Sequence, residues 1–385
     1  MKRKGGFSVK KISTFIIILA LLFHFPAKMT NADNSPALSV PSAILVEQET
    51  GTVLFESNAD EKRAPASVTK VMTLLLIMEA IESNQIKWDT AITVSSTAAG
   101  MGGSQVYLKE NETMSVDEMV KCITVVSAND CCVAMAEHLY GTVDSFVERM
   151  NERAKELGMK NTHFNSCTGL DTEDHYTTAR DIALMSRELM RHREIQKYTT
   201  IWMDSVRNGA FTLSNTNRLI RYYEGATGLK TGYTAEAGYC LSATATKDDL
   251  SLIAVVLGGK TSDERFNDAK ALLNHGFSQY SLYRQKPNQP NPVEVIKGLE
   301  NSITTVLKTP PSFLIPKGTE GRVTYKINLP KDVMAPVEKN QKLGTIEYTL
   351  DGESLGTISL LAEKEIKRIN FSHLFFQLIQ YFFTV

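Results

Sequence analysis

The segment that most constrains the fold is residues 67–82, whose apolar side chains cover almost the whole circumference of a helix. These apolar positions are Val68, Val71, Met72, Leu75, Met78 and Ile81. A helix that is apolar all round is buried, so other elements must surround it. The chain has 385 residues, 43% of them hydrophobic, which is enough for one large core and a second, smaller domain.

Elements of two kinds flank this helix. Two short apolar runs before it predict a strand hairpin that turns at Gly51. After it come helical patterns, then strand-like runs, then a further helix, at residues 116–140, 143–157, 179–190, 238–246, 250–257 and 263–273. Because strands come from both ends of this region, we expect an α+β fold, an antiparallel sheet packed against a helical region.

Residues 284–292 are polar and proline-rich, which is typical of a linker. Alternating apolar runs broken by prolines and by Asp351-Gly352 follow and predict a small all-β domain. The domains we expect are a signal peptide at 1–32, a catalytic domain at 33–286, a C-terminal β-sandwich-like domain at 287–362 and an amphipathic helix at 363–385.

The N-terminus has the order of a secretory signal peptide. Basic residues precede the apolar run 15–23, and Thr30-Asn31-Ala32 forms a small-x-small cleavage pattern. A retained membrane anchor is the alternative, but the run is shorter than the ~20 residues that a spanning helix needs. We therefore expect export.

The C-terminal segment 371–385 predicts an amphipathic helix. Its apolar positions at helical spacing are Phe371, Leu374, Phe375, Leu378 and Phe382, and basic residues precede it. A basic turn followed by an aromatic-rich apolar face is suited to a membrane interface. The alternative is a helix that docks on its own protein.

Composition excludes several classes of function. The formal net charge of −1 gives no reason to expect a nucleic acid as partner. The histidines form no metal-binding motif, so we expect no metal and no cofactor. The five cysteines follow neither a disulfide nor a zinc pattern, and we expect most of them to be buried small apolar residues.

Three short motifs could carry chemistry. Ser67 and Lys70 stand one helical turn apart at the start of the buried helix, so both side chains face the same way. A lysine in a desolvated site has a lowered pKa and can take a serine proton. Taken alone, Ser67 is better explained as an ordinary helix N-cap.

The second and third motifs are Ser127-Ala128-Asn129 and Lys230-Thr231-Gly232. The first lies in a polar patch that interrupts a helical stretch. The second opens a strand, where glycine lets a substrate approach the backbone closely. Separately they are typical of a helix-interrupting loop and a solvated strand end.

Together, in this order and context, the motifs resemble those of the penicillin-binding proteins and class A β-lactamases, with Ala128 in place of an aspartate. The chain resembles in particular the D-alanyl-D-alanine carboxypeptidases, low-molecular-mass penicillin-binding proteins of the serine peptidase type. The likeness covers roughly residues 41–277 and continues into the β domain and the tail. Further matching segments are Gly169-Leu170, His175-Tyr176-Thr177-Thr178-Ala179-Arg180-Asp181, Thr216-Asn217-Arg218 and Lys230-Thr231-Gly232-Tyr233-Thr234.

This resemblance implies a mechanism. Ser67 would attack the carbonyl between two terminal D-alanines, with Lys70 as general base and Ser127 as proton relay to the leaving amine. The substrate-binding residues would be Asn129, Lys230, Thr231, Gly232, Tyr233 and Arg265. The backbone N–H groups of Ser67 and Tyr233 would form the oxyanion hole.

The resemblance also implies the partners and the location. The substrate would be the peptidoglycan pentapeptide stem ending in D-Ala-D-Ala, and β-lactam antibiotics would be covalent inhibitors. The enzyme would be exported and peripheral to the outer face of the cytoplasmic membrane, held at the membrane surface by its tail helix.

Rival interpretations remain at this stage. A β-lactamase typically carries an E-x-x-L-N loop between the second and third motifs, and none occurs here. A non-catalytic penicillin-binding sensor would be expected to lack Ser67 or Lys70. A secreted structural protein would need the motif order to be accidental. One departure from the family is Thr168, since some members place a histidine just before the Gly-Leu pair.

Overall fold

The computed structural model describes residues 35–375 and residue 379. The predicted signal peptide at 1–32 and most of the tail after residue 375 lie outside the described residues. The helices are α1 Lys70–Glu82, α2 Ser96–Ala99, α3 Val116–Val125, α4 Asn129–Tyr140, α5 Val143–Glu156, α6 Ala179–Leu189, α7 Gln196–Thr199, α8 Leu219–Tyr222 and α9 Ser262–Gln279.

The strands of the first two thirds of the chain are β1 Ser42–Glu47, β2 Val53–Ser57, β3 Ala91–Thr93, β4 Thr113–Ser115, β5 Met203–Val206, β6 Phe211–Ser214, β7 Ala226–Thr234, β8 Gly238–Lys247, β9 Leu250–Gly259 and β10 Tyr280–Tyr283. Those that follow are β11 Val293–Ile296, β12 Ser302–Ile303, β13 Thr305–Leu307, β14 Phe313–Pro316, β15 Val323–Asn328, β16 Asp332–Met334, β17 Lys342–Leu350 and β18 Glu353–Ala362.

The main sheet has five antiparallel strands in the order β2-β1-β9-β8-β7. Strand β1 pairs with β9 from Ser42 opposite Leu257 to Glu47 opposite Leu252. The predicted hairpin and the predicted sheet with strands from both ends of the region are therefore confirmed. All six residues of β1 are buried. Because successive side chains of a strand point to opposite sides, both faces of the sheet are covered at β1.

Each face of the sheet packs on helices. Ile44 of β1 belongs to the large cluster around α1, and its neighbour Leu45 belongs to the cluster under α9. Every residue of α1 from Lys70 to Met78 is buried. The central buried helix predicted from the sequence is thus confirmed, and its N-terminal turn is held in the middle of the domain.

The predicted helix at 116–140 is two helices, α3 and α4, separated by residues 126–128. Ser127 has a positive φ of 66°, which no helix interior accommodates. The Asp130 carboxylate that follows accepts the N–H groups of Val106 at 3.0 Å and Leu108 at 3.1 Å. This carboxylate ties the break to the 104–108 loop.

Strand β7 extends further than the sequence indicates. Lys230 was expected to open it, but it lies in the middle of a nine-residue strand at one edge of the sheet. The segment reads Ala-Thr-Gly-Leu-Lys-Thr-Gly-Tyr-Thr and has little apolar alternation. Its strand conformation comes from pairing with β8, from Ala226 opposite Ala245 to Thr234 opposite Gly238.

The C-terminal region is all-β, as predicted. It contains a three-stranded sheet in the order β12-β11-β16 and a four-stranded sheet in the order β13-β18-β17-β15. Residues 284–292, the predicted linker, form no helix or strand. Residues 371–375 are helical and exposed. Across the part of the chain that the structure describes, we find no helix with the length and apolar character needed to cross a bilayer.

Candidate active site

Ser67 lies on a 3₁₀ turn, Ala66–Thr69, that leads directly into α1. The N-cap of α1 is Thr69 and not Ser67, and no side chain caps this end. The Lys70 ammonium nitrogen, Nζ, lies 2.9 Å from Ser67 Oγ and 2.6 Å from the carbonyl oxygen of Thr168. The geometry therefore favours a paired serine and lysine over the simple N-cap interpretation.

Both lysines of the motifs are buried. Lys70 is 0% exposed and Lys230 is 1% exposed. Burial lowers the pKa of Lys70, although Cys132, Cys167 and Asp130 act in the opposite direction. Burial, and then the nearby Lys70, hold the pKa of Lys230 well below its usual range. An amine of lowered pKa can accept a proton near neutral pH.

The break between α3 and α4 and the first residue of α4 present two polar groups without protein partners. Among the described residues, the buried Ser127 Oγ and Asn129 Oδ1 have no hydrogen-bond partner. Asn129 Nδ2 donates to the carbonyl oxygen of Gly102 at 2.8 Å, which fixes the plane of the amide. Buried polar groups are normally paired, so these two are placed for a ligand or for water.

Strand β7 runs close to the serine turn. A Cβ atom on Gly232 would lie 2.9 Å from the carbonyl oxygen of Pro65 and 3.1 Å from the Ser67 backbone nitrogen. Thr231 Oγ1 lies 2.7 Å from Thr216 Oγ1, and the Thr216 N–H donates to the Val125 carbonyl at the end of α3. These contacts bring the three motifs to one place.

Two predicted binding residues lie at the margin of this cluster. Tyr233 is 56% exposed, and its ring lies 4.3 Å from that of Tyr239, measured between centroids. Arg265, in the first turn of α9, donates to the carbonyl oxygen of Gly232 at 3.0 Å. Burial lowers the pKa of Arg265 to about 10. Its guanidinium thus supports strand β7 directly behind the third motif.

Sequence reasoning missed the contribution of residues 166–169. The Thr168 carbonyl accepts from Lys70, and the Cys167 carbonyl accepts from Thr73 Oγ1 at 2.6 Å. Thr168 Oγ1 lies 2.9 Å from Ser166 Oγ, so it is the main chain of Thr168 that contacts Lys70. Every residue has a main-chain carbonyl, so the residue types in a sequence do not reveal which carbonyl accepts from a lysine.

Two buried cysteines, Cys132 and Cys167, lie near Lys70. All five cysteines are buried free thiols, and burial was expected for most of them: Cys122, Cys131, Cys132, Cys167 and Cys240. Burial raises the pKa of Cys132 to about 11, which keeps this thiol protonated and unreactive. In residues 35–375, no three histidine, cysteine or acidic side chains group in a way that would hold a metal ion.

Comparison with family models gives two matches. Residues 29–261 match the model described as D-alanyl-D-alanine carboxypeptidase. Residues 277–368 match the C-terminal domain of penicillin-binding protein 5. The two matches correspond to the region of the large sheet and to the C-terminal β region.

Individual relatives agree with these models. D-alanyl-D-alanine carboxypeptidase DacF of Bacillus subtilis is 42% identical over 371 residues, which cover 94% of this chain and 95% of the relative. The structure of penicillin-binding protein 5 from Haemophilus influenzae is 30% identical with a TM-score of 0.75, covering 87% of this chain and 99% of that one.

A shorter solved structure matches as well. Penicillin-binding protein D2 from Listeria monocytogenes, in its ampicillin-bound form, is 34% identical with a TM-score of 0.58, covering 62% of this chain and 98% of that one. The family model alone spans more than half of the chain, and the Bacillus subtilis relative covers 94% of it. This chain therefore belongs to the D-alanyl-D-alanine carboxypeptidase family of serine peptidases.

Proposed function

We propose that Ser67 is the nucleophile with which this D-Ala-D-Ala carboxypeptidase removes the terminal D-alanine of a peptidoglycan stem peptide. The observation that carries the proposal is the 2.9 Å contact between Ser67 Oγ and the fully buried Lys70 amine. Lys70 takes the hydroxyl proton as Oγ attacks the penultimate carbonyl. The C–N bond then breaks, and protonated D-alanine leaves an ester on Ser67.

Ser127 passes a proton to the leaving amine, and Asn129 binds the peptide amide. Their support is the unpartnered Ser127 Oγ and Asn129 Oδ1, both buried at the end of the broken helix. Neither oxygen has a hydrogen-bond partner in the free protein, and each would gain one when the substrate binds. Water then hydrolyses the ester with Lys70 again as base, and Thr168 contributes its carbonyl to the orientation of that amine.

Lys230, Thr231, Gly232 and Arg265 form the binding side for the terminal carboxylate. Arg265, whose pKa is lowered by burial only to about 10, supplies positive charge behind the strand. The Lys230 amine supplies hydrogen-bond donors, and glycine at 232 allows β7 to pass next to the nucleophile turn. The N–H groups of Ser67 and Tyr233 form the oxyanion hole, whose donors stabilise the negative charge of the tetrahedral intermediate.

β-Lactams are expected to acylate Ser67 and remain attached. A β-lactam amide presents a carbonyl and a nearby carboxylate, the two groups for which this site provides donors. The ampicillin-bound relative supports this expectation. A β-lactamase would instead need a dedicated base for rapid deacylation, and the sequence has no E-x-x-L-N loop to supply one.

The site works outside the cytoplasm, where peptidoglycan lies. We extend this to a specific arrangement in which residues 1–32 are removed after export and the catalytic domain is peripheral to the outer face of the membrane. The β domain is the spacer, and the amphipathic segment 363–385 is the contact with the lipid surface.

Deleting residues 371–385 tests the membrane contact. The shortened protein should leave the membrane fraction while its activity on a soluble peptide is unchanged. A loss of activity with no change in location would contradict the anchor.

The main test is D-alanine release from a peptide ending in D-Ala-D-Ala, comparing residues 33–385 with the Ser67→Ala variant. We expect release and labelling by a fluorescent penicillin in the parent, and neither in the variant. Release by Ser67→Ala at the rate of the parent would refute Ser67 as nucleophile. Labelling without release in the parent would identify a penicillin-binding sensor.

A further inference from the structure

The residue before the nucleophile has an unusual backbone. Ala66 has a positive φ of 49°, a region that residues other than glycine rarely adopt. Such a conformation costs roughly 1–3 kcal/mol and persists only where surrounding groups hold it. The groups that hold Ala66 are therefore of interest for the position of Ser67.

The carbonyl of Ala66 is held from two sides. Thr69 Oγ1 donates to this oxygen at 2.8 Å. On the other side Gly169 packs so closely that a Cβ atom there would lie 1.9 Å from the same oxygen. The carbonyl direction is thus set by one hydrogen bond and one backbone contact.

A buried histidine stands behind Thr69. His175 is 6% exposed, and its Nε2 lies 2.8 Å from Thr69 Oγ1. Its other ring nitrogen, Nδ1, lies 2.9 Å from the backbone nitrogen of Asn165. A backbone N–H can only donate, so Nδ1 is the acceptor and the ring proton is on Nε2. Nε2–H then donates to Thr69 Oγ1, whose own proton goes to Ala66.

The chain of hydrogen bonds ends at the nucleophile. The Ala66 carbonyl and the Ser67 N–H belong to one planar trans peptide unit, so the direction of one fixes the direction of the other. In the function proposed above, on which this step rests, that N–H is a donor of the oxyanion hole. A small change in the direction of this N–H would weaken its hydrogen bond to the oxyanion, because stabilisation of the oxyanion requires preorganised geometry.

We propose that His175 is a positioning residue for acyl transfer, acting through Thr69 and the Ala66 carbonyl to aim the Ser67 N–H at the tetrahedral intermediate. The two ring nitrogens of His175 are hydrogen-bonded to Thr69 and Asn165, not to Ser67 or the lysines, so the ring is not placed to take a proton from the substrate. Nδ1 must be unprotonated to accept the Asn165 N–H, and burial lowers the pKa of His175 to about 4, which keeps the ring neutral.

Paired variants test the relay at both of its side chains. Thr69→Val removes the hydroxyl at nearly the same volume, and Thr69→Ser retains it. His175→Gln places an amide donor near the position of Nε2, whereas His175→Asn keeps only an acceptor near Nδ1. The relay predicts that Thr69→Ser and His175→Gln retain activity and that Thr69→Val and His175→Asn lose it.

The expected loss in kcat for D-alanine release is about 10- to 100-fold, less than the loss of a complete oxyanion donor. KM should change little, because the substrate carbonyl makes its strong contact only in the transition state. Affinity for a peptide boronate that forms a tetrahedral adduct on Ser67 should fall in parallel with kcat/KM. A merely structural role would not produce that parallel.

The proposal is overturned if Thr69→Val and His175→Asn fold with normal kcat, if only KM rises, or if the retaining variants are as impaired as the others. Thermal unfolding of each variant shows whether it is folded. Where a His175 variant is unstable, the comparison of Thr69→Val with Thr69→Ser tests the relay by itself. If only the relay fails, the parent still releases D-alanine and Ser67→Ala does not. If the proposed function fails, either Ser67→Ala releases D-alanine as well or the parent releases none, so the two failures are distinguishable.

Discussion

At the scale of single residues, the site depends on close approaches that leave no room for a side chain. Gly169 and Gly232 lie against the two sides of the serine turn, and at each a Cβ would meet backbone atoms. Backbone cannot move aside as a flexible side chain can. The identity of these residues is therefore set by the geometry of the turn.

Gly169→Ala should destabilise the protein by at least about 2 kcal/mol and abolish penicillin labelling, because the new Cβ would collide with the Ala66 carbonyl at a φ of 78°. Gly158→Ala is the matched control, since Gly158 has a φ of 76° with nothing within 4 Å of its Cβ position. Thermal unfolding and fluorescent-penicillin labelling measure both effects. Equal behaviour of the two variants would contradict the steric argument.

The buried His175 should make stability depend on pH. Its pKa is lowered from 6.5 to about 4, mainly by burial and then by His163, while Asp171 acts in the opposite direction. Other charged residues line the adjoining cavity: Lys62, Arg63, Glu173, Asp174 and Glu236. Between pH 6.5 and 4 the unfolded chain therefore binds more protons at this site than the folded chain does.

The free energy of unfolding should accordingly fall as pH drops through this window, by up to about 3 kcal/mol from this residue. Above pH 6.5 the contribution is flat. Urea titrations at pH 7, 5.5 and 4.5 measure the trend, and His175→Gln should have a shallower one. An equal slope in the variant would show that other groups carry the pH dependence.

At the scale of elements, the ends of helices determine where functional residues lie. Helix α9 begins after Thr261, whose side chain accepts the Glu264 N–H, while the Glu264 carboxylate accepts the Lys260 N–H at 2.7 Å. These bonds satisfy N–H groups that a helix start leaves free. They also fix the first turn, which holds Arg265 against β7.

Thr261→Ala should reduce the free energy of unfolding by about 1 kcal/mol, because it removes the N-cap acceptor, and Thr261→Ser should retain most of it. For a domain of this size the corresponding change in Tm is about 2–4 °C. Calorimetry on the two variants measures it. No difference between alanine and serine would mean that solvent satisfies this helix end equally well.

At the scale of the whole molecule, the chain has separate cores. Among the described residues, two clusters of buried apolar side chains lie in the region of the five-stranded sheet, and two more lie among the strands from residue 283 onward. Pairing of β10 with β14 joins the regions, as does the ion pair between Arg284 and Glu49. All residues of the proposed site precede this junction.

Ending the chain at residue 286 should therefore leave D-alanine release from a soluble peptide at the rate of the full chain. The truncation unpairs β10 and uncovers Tyr283, so lower solubility and a lower Tm are expected. Kinetics and unfolding of the shortened and full chains, both starting at residue 33, provide the comparison. A large loss of kcat in a folded truncated protein would show that the β region acts on the site.

The sequence by itself determined the buried helix, the strand hairpin, the pairing of Ser67 with Lys70 and the family. The first three depend on periodicity or spacing over short stretches, where local geometry converts residue separation into direction. The family depends on the order of the three motifs along the chain. Only the tertiary structure decided that β7 is a full edge strand, that the Thr168 carbonyl meets Lys70 and that His175 reaches Thr69. Those contacts join main-chain groups or residues 98 and 106 positions apart. No local pattern specifies them, because they depend on how separate elements pack together.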